Sequence, residues 1–198
     1  MTRILMFLVA AVSVLVAQDN QLTPAELKAG WQLLFDGRTA DRWRGTASET
    51  FPSSWTLEDG CLRTVTSPGK IHEDLVSQQS FRDFDLRFEW RLSPGANTGV
   101  KYLVQTHIPL SNGHDYAVGF EMQLIDDGGH PDAKVHPNRT TGAFYSHLAP
   151  SATTLRPPGE FNSGRVVLKG SHVEHWVNGA KVVEYEIDSS EIVESVAR

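Results

Sequence analysis

The sequence has little cysteine and no excess of positive charge, and both shortages exclude classes of protein. Cys61 is the single cysteine among 198 residues, so the chain has neither an internal disulfide nor a zinc site built from thiolates. Its 18 Lys and Arg residues are outnumbered by 24 Asp and Glu residues, which gives a formal net charge of −6. Nucleic-acid-binding proteins usually carry a basic excess or a basic stripe, so we expect no nucleic-acid partner.

Signatures of nucleophilic and nucleotide-dependent enzymes are also missing. The sequence contains no Gly-x-Ser-x-Gly motif that would hold a nucleophilic serine. Cys61 lies in a predicted strand, where a buried and inert thiol is the usual state. Gly128 and Gly129 stand alone and are not followed by a helical run, so they do not predict a phosphate-binding loop.

The first 17 residues have the pattern of a secretory signal peptide. Arg3 precedes an apolar run, Ile4 to Ala17, which Ser13 interrupts, and polar residues begin at Gln18. The run is short for a membrane span. We therefore expect removal of residues 1–17 and a periplasmic or extracellular protein that has no membrane attachment. An uncleaved N-terminal anchor is the alternative.

A short helix is predicted before the main domain. Residues 18–29 are predicted to form a linker containing this helix, because Thr23 can cap it, Pro24 suits its first turn and Gly30 follows its end. Over residues 30–198 a two-residue period replaces the helical one, as half-buried strands require. Only the last eleven residues, from Asp188, return to a helical composition.

The strand pattern is clearest in three places. Phe84 to Leu92 alternates apolar and charged residues over nine positions, and Phe120 to Leu124 repeats the alternation. Asn178-Gly179 lies between two strand-like runs and accepts the positive φ angles of a type I′ turn, which predicts a hairpin. Sixteen glycines and ten prolines supply many turns. We therefore predict an all-β fold, an antiparallel β-sandwich of the jelly-roll type.

Glu121 and Gln123 are the strongest candidates for a functional site. They alternate with apolar residues, so both project from one side of a predicted strand that runs on into Asp126. If the sheet is curved, this side forms a concave cleft, where a carboxylate and an amide suit sugar chemistry. By contrast, Asp85 and Arg87 on the Phe84 strand are expected to form a solvated outer face.

The loop after Asp126 offers possible ligands for a divalent metal ion. Oxygen and nitrogen donors of these types bind calcium or a transition metal. The candidates are Asp126, Asp127, His130, Asp132 and His136. Their spacing matches no fixed metal-binding motif, and solvated loop acids are the alternative.

Segments spread along the chain form an ordered series of motifs that begins at Gly30 to Gly37. The other segments are Trp43, Trp55 to Gly60, Phe84 to Arg91, Asn97 to Tyr102, Gly119 to Asp126, Thr141 to Tyr145, Pro158 to Asn162 and Val177 to Gly179. Over about 160 residues this series resembles, in the same order, the 3-keto-disaccharide hydrolase domain family, formerly a domain of unknown function, whose opening W..LFDGk signature is similar to Gly30 to Gly37. The resemblance implies a jelly roll like those of concanavalin A and laminin G.

The chain departs from the family pattern in two places. Phe161 stands where the family usually has Trp, which is an exchange of one aromatic residue for another. The family typically finishes with a glycine-containing strand, and no residue after Arg198 supplies it. The resemblance therefore implies a chain truncated before the last strand, with an exposed sheet edge.

The resemblance implies a glycoside-cleaving enzyme whose substrates already carry a ketone at C3 of the sugar. The ketone acidifies the C2 proton, so a base can remove it, the aglycone can leave C1, and water can add to the resulting enone. Such a site needs a base, a group that stabilises the enolate oxygen and an acid. We assign Glu121 as the base, and Lys101 or Arg91 as the cation at the enolate oxygen unless a divalent metal acts there. The side chains expected to contact the sugar are Gln123, Asp126, Tyr145, Asn162 and Glu89.

Two other functions fit the same residues. Conventional hydrolysis would use Glu121 and Glu89 as paired acid and base, with their carboxyls roughly 5–9 Å apart. A non-catalytic carbohydrate-binding module would stack sugar on Trp43 or Tyr145 and use Glu121 only to accept hydroxyl hydrogen bonds. One fold hosts many functions, so fold class alone does not separate these alternatives.

Overall fold

The structure is a computed structural model that describes residues 20–65, 73–109, 115–152 and 154–197. The predicted signal peptide, residues 1–17, lies outside the described residues. Among the helices in these ranges, none is both long and apolar enough to cross a bilayer.

The described residues form ten strands and two α-helices, with two short 3₁₀ turns at Asp132–Lys134 and Pro137–Arg139. The helices are α1 (Pro24–Lys28) and α2 (Ser190–Val196). The strands are β1 (Trp43–Gly45), β2 (Trp55–Glu58), β3 (Cys61–Thr64), β4 (Leu75–Ser77), β5 (Phe84–Trp90), β6 (Asn97–Pro109), β7 (Asp115–Ile125), β8 (Asn162–Lys169), β9 (His172–Val177) and β10 (Ala180–Glu186).

Two antiparallel layers enclose the core. One layer is a four-stranded sheet in the order β10-β9-β8-β5, and the other is built on the β6–β7 pair. Residues 142–145 run along β7, because Gly142 N donates to Gln123 O over 2.8 Å and Tyr145 N donates to Glu121 O over 3.0 Å. Strands β1 and β4, and β2 and β3, form two smaller antiparallel pairs. The predicted all-β antiparallel sandwich is confirmed.

The alternation within each strand decides which side chains fill the interior. Met122 and Leu124 of β7 pack in one buried cluster with Val166 and Leu168 of β8. Phe84, Phe88 and Trp90 of β5 lie against the same cluster. The odd-numbered residues of β5, and Glu121 and Gln123 of β7, therefore stand on the two faces that point away from this cluster.

The short local predictions are also confirmed. Thr23 caps α1 in a capping box: its Oγ1 accepts from Glu26 N over 3.2 Å, and Glu26 Oε2 accepts from Thr23 N over 2.8 Å. Asn178 and Gly179 have φ of 46° and 82° and join β9 to β10, as a two-residue hairpin requires. On the outer face of β5, the Asp85 carboxylate accepts from Arg165 Nε over 2.6 Å and from Arg165 Nη2 over 2.8 Å.

A chain of buried polar groups crosses the core. Gly142 O lies 3.0 Å from His175 Nδ1, and a carbonyl only accepts, so Nδ1 carries the proton. His175 Nε2 therefore accepts from the Tyr102 hydroxyl over 2.8 Å, and Tyr102 accepts from Tyr185 over 2.5 Å. Each buried polar atom in this chain is paired, so the network fixes residue 142 beside β7 at little desolvation cost.

Gly164 of β8 provides a test of the packing between strands. A Cβ at this position would overlap the Phe88 ring of β5, so we expect Gly164→Ala to lower the free energy of unfolding by about 1–3 kcal/mol. Urea unfolding followed by circular dichroism measures the change. Gly128→Ala is the matched control, because the nearest atom to its Cβ is Asp126 Oδ1 at 3.5 Å, an ordinary contact. Equal stabilities for the two variants would contradict this account of the packing.

Candidate functional site

A carboxylate and an ammonium group lie together on the outer face of the β6–β7 layer. Lys101 of β6 is directly opposite Glu121 of β7 in the strand register, so their side chains share one face. Asp74, which immediately precedes β4, reaches the same place, and its Oδ2 lies 2.8 Å from Lys101 Nζ. Three charged groups from three separate segments therefore meet here.

Burial sets the protonation behaviour of Glu121. Desolvation raises the pKa of its carboxyl, the Lys101 ammonium partly offsets this, and Asp74 adds to the increase. Gly99 makes room for the carboxyl, because a Cβ there would overlap Glu121 Oε1. The site thus holds a half-buried carboxylate of increased basicity next to a cation.

Gln123 lies on the same face of β7 but is only 1% exposed. Its backbone pairs with residues 142 and 143, as Gln123 N donates to Ala143 O over 3.1 Å. The sequence predicted that its amide would project into an open cleft, whereas in this structure the side chain is covered.

Asp126 and Asn162, both predicted to bind sugar, lie at a different place, the end of the sandwich where β7 stops and β8 begins. The Asp126 carboxylate accepts from the backbone N–H groups of Gly95, Gly128 and Gly129 over 2.7 to 3.1 Å, and these bonds lower its pKa. Asn162 is 2% exposed, and its Oδ1 accepts from Arg156 N over 2.9 Å. Both side chains use their polar atoms to organise loops.

Tyr145 also has a structural partner. Its hydroxyl donates to Asp132 Oδ2 over 2.9 Å, and Arg139 Nη1 donates to Asp132 Oδ1 over 2.6 Å. The Arg139 guanidinium lies 5.5 Å from the centre of the Tyr145 ring. This triad fixes the 132–145 loop, and the Arg139 guanidinium lies over the Tyr145 ring.

The structure corrects the placement of two predicted site residues, Glu89 and Arg91. Glu89 stands on the outer face of β5, opposite Ser163, and the Arg91 guanidinium lies 4.8 Å from the centre of the Phe161 ring. Glu121 stands on the outer face of the other layer. The core cluster lies between these two faces, so the Glu89 and Glu121 side chains point away from each other. They do not form the acid–base pair of conventional hydrolysis.

The predicted metal loop does not assemble a ligand set. His130 Nδ1 accepts from Asp132 N over 3.1 Å, His136 Nδ1 accepts from Asn138 N over 3.3 Å, and Asp127 Oδ1 accepts from Thr141 N over 2.8 Å. Each candidate thus supports its own turn.

Within the described ranges, the group that does bring three possible ligands together is on the face of β9 and β10, and it comprises His172, Glu174 and Glu184. Lys181 Nζ already contacts both of these carboxylates, at 3.2 and 2.7 Å, and supplies the cation there.

Sequence reasoning missed Asp74 and the half-buried position of Trp90. Asp74 is separated from Lys101 by 27 residues, and no local pattern predicts that pairing. Trp90 packs against the core cluster, and its indole Nε1 is buried without a hydrogen-bond partner, which the alternation of residues does not reveal.

The chain belongs to the family described as the 3-keto-alpha-glucoside-1,2-lyase-like domain, which matches residues 30–196. The resemblance noted in the sequence is thereby confirmed. The chain is 31% identical over 199 aligned residues to a 3-keto-disaccharide hydrolase of Bacteroides thetaiotaomicron, an alignment that covers 90% of this chain and 69% of that protein.

Solved structures show the same fold. A crystal structure from Parabacteroides distasonis, assigned to the glycosyl hydrolases, superposes with a TM-score of 0.81 at 28% identity and covers 90% of this chain and 82% of its own. A second structure from that organism with the same assignment has a TM-score of 0.55 at 24% identity, over 73% of this chain and 72% of its own, and supports the fold alone.

Proposed function

We propose that this protein cleaves 3-keto-glycosides by removing the C2 proton and expelling the aglycone, after which water adds to the product. The observation that carries this proposal is the pairing of a half-buried Glu121 carboxyl of raised pKa with Lys101 on one face of the β6–β7 layer. Membership of a family described by lyase chemistry on 3-keto-glucosides supports the choice of substrate.

Each step uses one feature of the site. Glu121 takes the C2 proton, and the electrons of the C–H bond form an enolate with the C3 ketone. The Lys101 ammonium, held by Asp74 at 2.8 Å, compensates the charge that develops on the enolate oxygen. The enolate then re-forms the ketone as the C1–O bond breaks, and the departing oxygen takes the proton that Glu121 carries, which releases the aglycone and restores the base. Addition of water across the C1–C2 double bond makes the overall reaction a hydrolysis.

The raised pKa of Glu121 suits this role. A general base acts best when its pKa approaches the working pH, because it is then ionised and still holds the abstracted proton well. The α-proton of a ketone is weakly acidic, so a carboxylate of ordinary basicity would be a poorer acceptor. Burial over Gly99 supplies the largest part of this increase in pKa, and the Asp74 carboxylate adds to it.

We also propose that the reaction takes place outside the cytoplasm. The support is the sequence pattern of residues 1–17, with Arg3 ahead of an apolar run. Cell fractionation with an antibody against the chain tests this: the protein is expected in the periplasmic or extracellular fraction.

The test of the chemistry is a comparison of two substrates that differ only at C3. We expect p-nitrophenyl 3-keto-glucoside to release p-nitrophenol and the unoxidised p-nitrophenyl glucoside to release none, since elimination requires the ketone. Deuterium at C2 is expected to slow release. Release from both substrates at similar rates would contradict elimination, and binding without release from either would indicate a carbohydrate-binding module. Release is expected to persist with EDTA; its loss would assign the enolate oxygen to a metal rather than to Lys101.

A further inference from the structure

The four-stranded sheet carries a separate group of charged side chains, on the outer face of β9 and β10. In the strand register Glu174 lies directly opposite Glu184, and His172 lies directly opposite Glu186. Their alternation with buried residues of the same strands directs all four side chains away from the core. Glu121 stands on the outer face of the other layer, so this group does not belong to the proposed active site.

The pairing of Glu174 with Glu184 is unfavourable by itself. Two carboxylates directly opposite each other in an antiparallel pair repel, so a cation between them stabilises the pair. Lys181 Nζ lies 3.2 Å from Glu174 Oε1 and 2.7 Å from Glu184 Oε1. With the Glu186 carboxylate, three negative charges meet one ammonium, and −3 + 1 leaves a net charge of −2 when His172 is neutral. The group therefore favours an additional positive charge.

A hydrogen bond orients the imidazole of His172 so that its second nitrogen faces these carboxylates. Glu186 Oε1 lies 2.7 Å from His172 Nδ1, and a carboxylate only accepts, so Nδ1 carries a proton. Nε2 then faces Glu174 Oε1 at 3.5 Å and Glu184 Oε1 at 3.4 Å. Metal-ligating histidines are usually held in this way, with one ring nitrogen bonded to a carboxylate and the other on the metal.

The spacing of the three facing atoms suits a metal ion better than direct hydrogen bonds. Both distances from His172 Nε2 exceed the usual length of a hydrogen bond between nitrogen and oxygen, about 2.7–3.2 Å. Ligand atoms placed tetrahedrally around zinc, at about 2.0–2.1 Å from it, lie about 3.3–3.4 Å from one another. Glu174 is also oriented, because its Oε2 accepts from Trp176 Nε1 over 2.8 Å and its Oε1 is the atom that faces the imidazole.

We propose that His172, Glu174 and Glu184 bind a divalent transition-metal ion, which displaces the Lys181 ammonium. One imidazole nitrogen with two carboxylate oxygens is a ligand set that zinc accepts, whereas magnesium and calcium prefer oxygen alone. Lys181 is exposed and its side chain is flexible, so its ammonium moves into solvent when the ion binds. The ion joins β9 to β10, a strand at the edge of its sheet, and stabilises the folded chain.

The test is calorimetric titration of the metal-free full chain with zinc chloride. We expect one saturable site that weakens by at least about tenfold in His172→Gln and is absent with magnesium chloride. Lys181→Met removes the competing ammonium and is expected to tighten binding by about threefold or more. His136→Gln is the matched control, because it removes an exposed imidazole from the loop after β7, and its affinity is expected to equal that of the unaltered chain.

A second readout follows stability. Zinc is expected to raise the thermal midpoint of the unaltered chain and of His136→Gln, and to leave that of His172→Gln unchanged. Absence of saturable binding, equal affinity in His172→Gln, or weaker binding in Lys181→Met would overturn the proposal. Equal affinity would assign the zinc to other side chains, and weaker binding would make Lys181 a support of the site rather than its competitor. Turnover of a 3-keto-glucoside is expected to be the same in His172→Gln as in the unaltered chain, so this test and that of Glu121 are independent.

Discussion

Glu121→Gln is expected to reduce turnover of a 3-keto-glucoside by about 10²–10⁴-fold, the contribution typical of a general base. The amide keeps the size and hydrogen-bonding reach of the side chain but does not accept the C2 proton. Initial rates of p-nitrophenol release give the loss, and circular dichroism shows whether the fold is kept. Because Glu121 is half-buried with a raised pKa, the neutral amide is expected to be tolerated well.

Two further variants test whether Glu121 acts as a catalytic base or only supports the fold. Glu89→Gln makes the same chemical change on the outer face of β5, and we expect its turnover to be unaltered. Gly99→Ala does not change the identity of Glu121 but adds a Cβ where its Oε1 lies. This variant is therefore expected to displace the Glu121 carboxyl and to reduce turnover. Near-normal turnover in Glu121→Gln would remove it from the role of base, and an equal loss in Glu89→Gln would show that the effect is not specific.

The second large effect concerns acid stability and His175. Burial lowers the pKa of His175 from 6.5 to about 4. The unfolded chain therefore takes up a proton below pH 6.5, whereas the folded chain keeps His175 neutral until about pH 4. The free energy of unfolding is expected to fall by about 3 kcal/mol through His175 as the pH drops across this window, at 1.36 kcal/mol per pKa unit.

Urea unfolding at a series of pH values measures this slope. His175→Gln is the control, because it does not titrate and can keep a hydrogen bond within the core. The variant is expected to be less stable at pH 7 and to show a shallower fall in stability between pH 6.5 and pH 4. Identical pH profiles would show that His175 is not the group that limits acid stability.

Much of the fold was predictable because its signals are local. The alternation in β5 and β7 follows from the two-residue geometry of a strand, and the Asn178-Gly179 turn follows from the positive φ angles that these two residues accept. The alternation of Glu121 with apolar residues was enough to place it on the outer face of its sheet. A family resemblance then supplied a substrate class that no spacing contained.

The rest of the site depends on how layers pack, which residue spacing does not encode. Glu89 and Glu121 both stand on outer faces, and only the arrangement of the two sheets shows that these faces are opposite. The contact between Asp74 and Lys101 depends on where β4, which Asp74 immediately precedes, is placed in the fold.

Asp126 is a different case, because a local signal was present. Aspartate ahead of glycines is typical of a turn in which the side chain accepts from backbone N–H groups, and that is how Asp126 is used. The backbone N–H groups of this turn therefore occupy the carboxylate that the resemblance assigned to sugar binding.

The turn between β9 and β10 does more than reverse the chain. Besides adopting a φ of 46°, Asn178 accepts from Ser163 N and donates to Thr154 O, each over 2.8 Å, so it supports the segment that leads into β8. A glycine would satisfy the backbone at the turn but would remove both of these hydrogen bonds. The side chain at this tip therefore links the hairpin to a neighbouring loop, which a turn residue chosen for its backbone alone would not do.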